Sequence, residues 1–327
     1  MVFAIAVYAS HMDALNRAVG AVINECLRVQ EGENVLVVAN PATLGLGERL
    51  RGAAGRAGAD AVLMLMAERA THGTEPPPTV AAAMSRAHVV MCPTEQSLSH
   101  TAARREACDA GARIATLPGV TEEMLGRVMS ADMAELRRRG RAVAEALDGG
   151  SEARITCERG SDLLLRIEGR KAICDAGELG EPGAFGNLPC GEGFIGPLET
   201  EGGGVLVVDG TIGGIGSVAA PITLRVEEGN LEEASGPEGT RLLEMLRAAG
   251  PLGTGVAELG IGTNERAILT GNLLEDEKIL GTCHVAFGAS AGVGGVVQVP
   301  IHIDCVLLKP TVEIDGRAIV RQGHLLL

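Results

Sequence analysis

The sequence predicts an α/β protein in two parts, a Rossmann-like (flavodoxin-like) N-terminal domain over residues 1–150 and a β-rich α+β domain over 151–327. Three observations carry this. Short apolar runs alternate with helix-like segments up to about residue 148, the double glycine Gly149-Gly150 then interrupts the pattern, and beyond it strand-like runs follow one another across glycine-rich turns.

The elements follow in order. Residues 13–28 place Leu15, Val19, Val22, Ile23, Cys26 and Leu27 at helical spacing, and Glu31-Gly32-Glu33 turns the chain into a buried-strand run over 35–39. A helix over 47–57, a run over 61–66, a helix after Pro76-Pro77-Pro78, a run over 88–92, a helix near 101–110 and a run over 112–116 continue the alternation. Apolar runs of this kind belong to a parallel sheet covered on both faces. Two further helical segments follow Pro118-Gly119, the second rich in Ala, Glu and Arg. Beyond residue 150 the runs over 153–158, 162–167, 204–209 and 222–227 read as strands, with one helix from about 238 to 249.

Composition narrows the function classes. With 46% hydrophobic and 21% charged residues over 327 positions, the chain has enough apolar surface for a sizeable core. A net charge of -14 repels nucleic acid, and Arg137, Arg138, Arg139 and Arg141 read as a solvated helix face. The eight cysteines lie in apolar runs without a CxxC pair, as reduced core residues of a cytoplasmic protein do; Cys283 and Cys305 are kept as minor metal candidates. There is no Trp, one Tyr (Tyr8) and four Phe, so little of the chain can stack on a ring. The opening MVFAIAVYAS lacks a basic leader region and is too short to span a bilayer; a first strand or an extension is expected there, with no function for Ser10-His11-Met12. No membrane partner is expected.

Two glycine-rich segments invite a phosphate reading. In 40–47 (NPATLGLG), Leu50 stands where the third glycine of a dinucleotide fingerprint belongs and no Walker lysine follows, so a structural turn is expected. The segment 210–216 (GTIGGIG) leaves a strand without entering a helix, so a bulge or hairpin is expected.

Chemistry concentrates in the second half. Glu192, Glu258, His284, His302 and Asp304 each sit among apolar and glycine residues, where a charged group must be paired or ligated to offset its desolvation. His302 and Asp304 form an H-x-D pair in a strand-like run, so both side chains share one face and Ile303 and Cys305 the other. Converging imidazoles and carboxylates are what a divalent metal site needs. Glu192 is expected in a turn, and the acids at 275–277 admit either a solvated acidic turn or a catalytic role.

Taken together, NLPCGEGFIGP, AELGIGTN, GTCHVAFG and PIHIDCVLLKPTVEIDG resemble the motifs of the M29 metallo-aminopeptidases of the aminopeptidase T and S type, through most of the C-terminal half. The resemblance implies a hydrolase with two Zn or Co ions held by Glu192, Glu258, His284, His302 and Asp304, one carboxylate bridging. It also implies that a metal-activated water attacks short-peptide or amide substrates, that Glu277 relays a proton, and that the chain forms a homodimer. The tyrosine which that family carries seven residues after the histidine is here Ala291. The same half also looks similar to the 2,5-dihydroxypyridine dioxygenases, which implies a mononuclear Fe(II) centre with the H-x-D pair kept and histidine where this chain has Glu258. A third expectation is a non-catalytic metal-binding relative.

Overall fold

The structure, a computed structural model, describes residues 2–327, with side chains from residue 12 onward. The chain forms two compact units, Met1–Ala131 with Gly177–Cys190, and Asp132–Ala176 with Gly191–Leu327. The α/β first unit and β-rich second unit are those expected, but the division falls at residue 132 rather than 150.

In the first unit, five parallel strands lie in the order Asp60–Leu65, Asn34–Ala39, Val89–Cys92, Arg113–Thr116 and Phe185–Asn187. By chain order within the unit this is 2-1-3-4-5, the flavodoxin-like arrangement. The strands form because their runs are β-branched and apolar. Leu36, Val38, Val90 and Ile114 pack with Met84, Leu98 and Ala107 of the covering segments. Helix starts are set by capping: Thr101 accepts from the Arg104 amide, and Thr121 from the Met124 amide.

Two expectations and one unforeseen strand concern this unit. The opening segment is a helix, Val2–Ala21, and not a strand; the Tyr8 side chain lies outside the described residues. Segment 40–47 is a 3-10 turn, Pro41–Thr43, running into helix Leu44–Arg56. The buried Asn40 donates to the Met66 carbonyl and accepts from the Glu95 amide, while Thr43 Oγ1 donates to the Pro93 carbonyl at 2.5 Å. The strand Phe185–Asn187 returns from beyond residue 150 to close the sheet, and its three residues, one a glycine, carry no alternation to reveal it.

In the second unit, one antiparallel sheet has eight strands and the other seven. The seven run in the order Gly216–Ser217, Thr211–Ile212, His302–Leu307, Cys283–Gly288, Val256–Gly262, Glu192–Ile195 and Ile173–Asp175. The first two are the hairpin expected over 210–216. Helix Met133–Asp148 belongs to this unit. It approaches the last two strands so closely that a Cβ at Gly140 would lie 2.9 Å from Cys174 Sγ, and one at Gly193 2.7 Å from Val143 Cγ1. Gly149-Gly150 thus ends a helix and not a domain.

Leu259, Ile261, Cys283, Val285, Phe287, Ile303, Cys305 and Leu307 from one face of the seven-stranded sheet join Ile155, Leu163, Leu206 and Leu224 of the other sheet in a single core. Alternation sends Glu258, His284, His302 and Asp304 to the opposite face. Among the described residues no helix is long and apolar enough to cross a membrane.

Candidate metal centre

Four neighbouring strands position the donors. Register sets Ala286 opposite both Glu258 and Asp304, and Gly260 opposite His284; Glu192 opens its strand opposite Gly262. Glu192 is therefore a strand residue and not a turn residue. All five side chains converge in the second unit.

Glu258 is at the middle. His284 Nε2 lies 3.3 Å from Glu258 Oε1 and 3.4 Å from Glu192 Oε2. His302 Nε2 lies 3.3 Å from Glu258 Oε2 and 3.4 Å from Asp304 Oδ1. Two groups of three donors result, Glu192–Glu258–His284 and Glu258–His302–Asp304, with Glu258 common to both.

Supporting contacts aim the imidazoles. His302 Nδ1 donates to the Ala289 carbonyl at 2.7 Å, which fixes the tautomer and presents Nε2 as a lone-pair donor. That carbonyl sits at the start of a loop pinned by Glu199, which accepts from the Val296 amide and Ser290 Oγ and pairs with Arg170. His284 is placed by packing: a Cβ at Gly260 would lie 2.0 Å from its Nε2, so only glycine leaves room for the ring. The motif-based reading did not single out Gly260, because its role depends on which residue faces it across the ladder.

Lys278 also escaped notice. Its side chain is fully buried, with Nζ 2.9 Å from Glu192 Oε1 and 2.6 Å from Glu277 Oε1. The EDEK segment is no solvated turn. Asp276 accepts from Thr211 Oγ1 and from the Thr270 and Gly271 amides, and Glu275 from the Ile268 amide, so both hold the 268–276 loop. Glu277 is the acid of the three that faces the cluster through Lys278. Cys283 and Cys305 point into the core, where burial pushes both thiols up, so neither is a ligand.

The carboxylates draw positive charge onto both imidazoles, charge that a bound cation would replace. Burial would lower His284, but its bond to Glu258 and the nearby Glu192 carboxylate raise it to about 9; His302 is raised well above its usual range against the same burial. Burial would raise Glu258 and Asp304, yet bonding to His284 and His302 leaves Glu258 lowered, and the His302 charge leaves Asp304 lowered. Burial raises Glu192, and raises Glu277 to about 8. Glu192 Oε2 is buried without a hydrogen-bond partner. Three carboxylates and two imidazoles, with Glu192 Oε2 making no hydrogen bond and paired only with the His284 ring, fit a divalent cation.

Fold and site together define an α/β protein with a buried His–carboxylate cluster suited to a metal. The chain belongs to the 2,5-dihydroxypyridine 5,6-dioxygenase (NicX) family, whose model matches residues 15–327. It is 25% identical over 245 residues, 69% of this chain and 68% of the relative, to the 2,5-dihydroxypyridine 5,6-dioxygenase of Pseudomonas putida. The solved structure of 2,5-dihydroxypyridine dioxygenase from that organism is similar at a TM-score of 0.82, with 22% identity over 95% of this chain and 96% of that one. Wild-type AmpT from Thermus thermophilus is similar at a TM-score of 0.72, with 18% identity over 97% of this chain and 100% of that one.

Family membership corrects the expected activity. The metallo-aminopeptidase assignment, and the hydrolase chemistry and peptide substrates that came with it, give way to the dioxygenase alternative. The motifs behind the peptidase resemblance are those of the donor cluster and its strands, and at 18% identity the likeness to AmpT is one of fold. Ala291, in the place of the peptidase tyrosine, lies exposed in the loop after Gly288.

Proposed function

We propose that this chain is a metal-dependent ring-cleaving dioxygenase acting on a dihydroxylated pyridine or a close heteroaromatic analogue. The observation that carries this reading is a family match running from residue 15 to the C-terminus, across a unit whose sheet gathers two imidazoles and three carboxylates. Non-haem Fe(II) in oxygenases is held by two imidazoles and one carboxylate with open positions, and this chain departs from that set by one donor, Glu258 standing as a carboxylate beside His302 and Asp304. His302, Asp304 and Glu258 would hold the ion, with His284 and Glu192 adjoining. When bound, the ion supplies a redox centre at which an electron-rich ring and O2 can meet.

The chain's own groups have distinct tasks in this reading. The Ala289 carbonyl keeps the proton on His302 Nδ1, away from the metal side. Glu277, raised to about 8 by burial and bonded to Lys278, would carry a proton at neutral pH and stand as a proton donor beside the cluster. Phe194 follows Glu192 by two residues on the same face, is partly exposed, and offers a ring surface on the donor-bearing face. His302 and Asp304 side chains, 12% and 11% exposed, mark the open edge, against 1% for His284.

The test is anaerobic loading with Fe(II), elemental analysis, and O2 uptake with 2,5-dihydroxypyridine against its other isomers. Uptake matched to ring loss, with both atoms of 18O2 in the ring-opened product, is the expected result. A loaded chain that consumes no O2 with any isomer would sink the proposal.

A further inference from the structure

The two imidazoles of the cluster differ behind the ring. His284 Nδ1 is buried without a hydrogen-bond partner, and packing against Gly260 holds the ring. His302 Nδ1 instead donates to the Ala289 carbonyl, so the aim of that ring depends on how firmly the carbonyl is held.

The carbonyl belongs to the Ala289–Ser290 peptide, and the loop locks that plane on both sides. The Ala289 amide donates to the Ile301 carbonyl at 2.7 Å and the Ser290 amide to the Val297 carbonyl at 3.0 Å, while the Ser290 carbonyl accepts from the Val293 and Gly295 amides. A peptide group is a rigid plane, so displacing Ser290 turns the Ala289 oxygen off the ring.

The Ser290 side chain ties this plane to Glu199. Ser290 is fully buried, and its Oγ accepts from the Val297 amide at 3.0 Å and donates to Glu199 Oε1 at 3.2 Å. The same Oε1 accepts from the Val296 amide at 2.8 Å, and the other carboxylate oxygen pairs with Arg170, whose Nη1 donates to the Gly294 carbonyl at 3.0 Å. One carboxylate–guanidinium pair thus grips the loop at residues 290, 294 and 296. The fit is close: a Cβ at Gly295 would lie 2.2 Å from Ser290 Oγ, and one at Gly196 2.9 Å from the Val293 carbonyl oxygen. Burial would raise the Glu199 carboxyl, but its bond to the Val296 amide and the Arg170 charge leave it lowered, so the pair stays charged at neutral pH. Neither partner is among the donors of the cluster.

We propose that Glu199, braced by Arg170, is a positioning residue for the metal centre: by fixing Ser290 it holds the Ala289 carbonyl on His302 Nδ1 and so keeps Nε2 aimed at the ion. The effect on metal affinity rests on the metal reading above, which this deepens; the placement of the His302 ring does not depend on an ion.

The test uses the intact chain labelled with 15N-histidine. In metal-free protein, proton NMR reads solvent exchange of the His302 Nδ1 proton, assigned by its loss in His302→Ala, with the His284 ring signals as internal control. Mn2+ titration, followed by electron paramagnetic resonance of the free ion, then gives affinity. Glu199→Ala and Ser290→Ala should each speed exchange at His302 by about tenfold or more, leave the His284 signals in place, and weaken Mn2+ binding by about 10–100-fold. Unchanged exchange at His302 in a folded Glu199→Ala would overturn the proposal, as would equal loosening of both rings, which marks a general structural brace, or wild-type Mn2+ affinity in a variant whose His302 proton is freed. A wild-type chain that binds no Mn2+ would remove the metal reading and the affinity effect with it, while exchange at His302 still decides whether Glu199 sets the ring. If circular dichroism shows Glu199→Ala unfolded, Ser290→Ala, which removes a single oxygen, decides.

Discussion

The two faces of the seven-stranded sheet are built from the same strands, yet they obey different rules. On one face Leu259, Val285, Phe287 and Cys305 are dry core; on the other, one residue along, Glu258, His284 and Asp304 form a charged cluster that is just as buried. The core face is stabilised by transfer of apolar area, a local property of each side chain. The charged face is stable only collectively, because each carboxylate depends on an imidazole, an ammonium or a metal to offset its desolvation. Burial alone therefore does not tell structure from function; the alternation of chemistry along one strand does.

The sharpest contrast comes from deleting a side chain on the core face. Phe287→Ala should destabilise the second unit by about 3–5 kcal/mol in urea melts while leaving metal stoichiometry intact in the fraction that stays folded. Loss of metal at modest destabilisation would show that the faces are not independent. Metal removal probes the other face: at a hundredfold excess over Kd, a bound ion should contribute about 2.7 kcal/mol, seen as a chelator-dependent fall in Tm that His302→Ala abolishes. An unchanged Tm on chelation would mean that the cluster is self-neutralised.

Gly260→Ala links the faces at one atom. The added methyl displaces the His284 ring, so metal affinity should fall by about 10–100-fold in competition with a chelator, the range for disturbing a ligand's support. Unchanged affinity would remove His284 from the centre. The smallest effect is expected at Cys283→Ala, about 1 kcal/mol of stability with no change in metal content. Loss of metal there would put sulfur back among the ligands.

What the sequence disclosed follows the same division. Alternation made the H-x-D pair legible, and the parallel sheet of the first unit follows from apolar runs whose partners are near in the chain. Gly260 and Lys278 were illegible for a common reason. Gly260 matters because of His284, 24 positions away across a ladder, and Lys278 because Glu192 accepts from it 86 positions away. An EDEK tetrapeptide looks solvated until the loop that Glu275 and Asp276 hold is closed over it. The activity was misjudged on similar grounds, since donor motifs describe what can bind a cation and say little about what reacts beside it.

The chain passes between its two units three times, at residues 131/132, 176/177 and 190/191. A fragment ending at residue 150 would lack Phe185–Asn187, baring the edge of Arg113–Thr116, and would carry helix Met133–Asp148 with Leu136, Val143 and Leu147 stripped of their cover. Neither unit is a cassette. Recombination or gene fusion that treats residue 150 as a seam should yield aggregates.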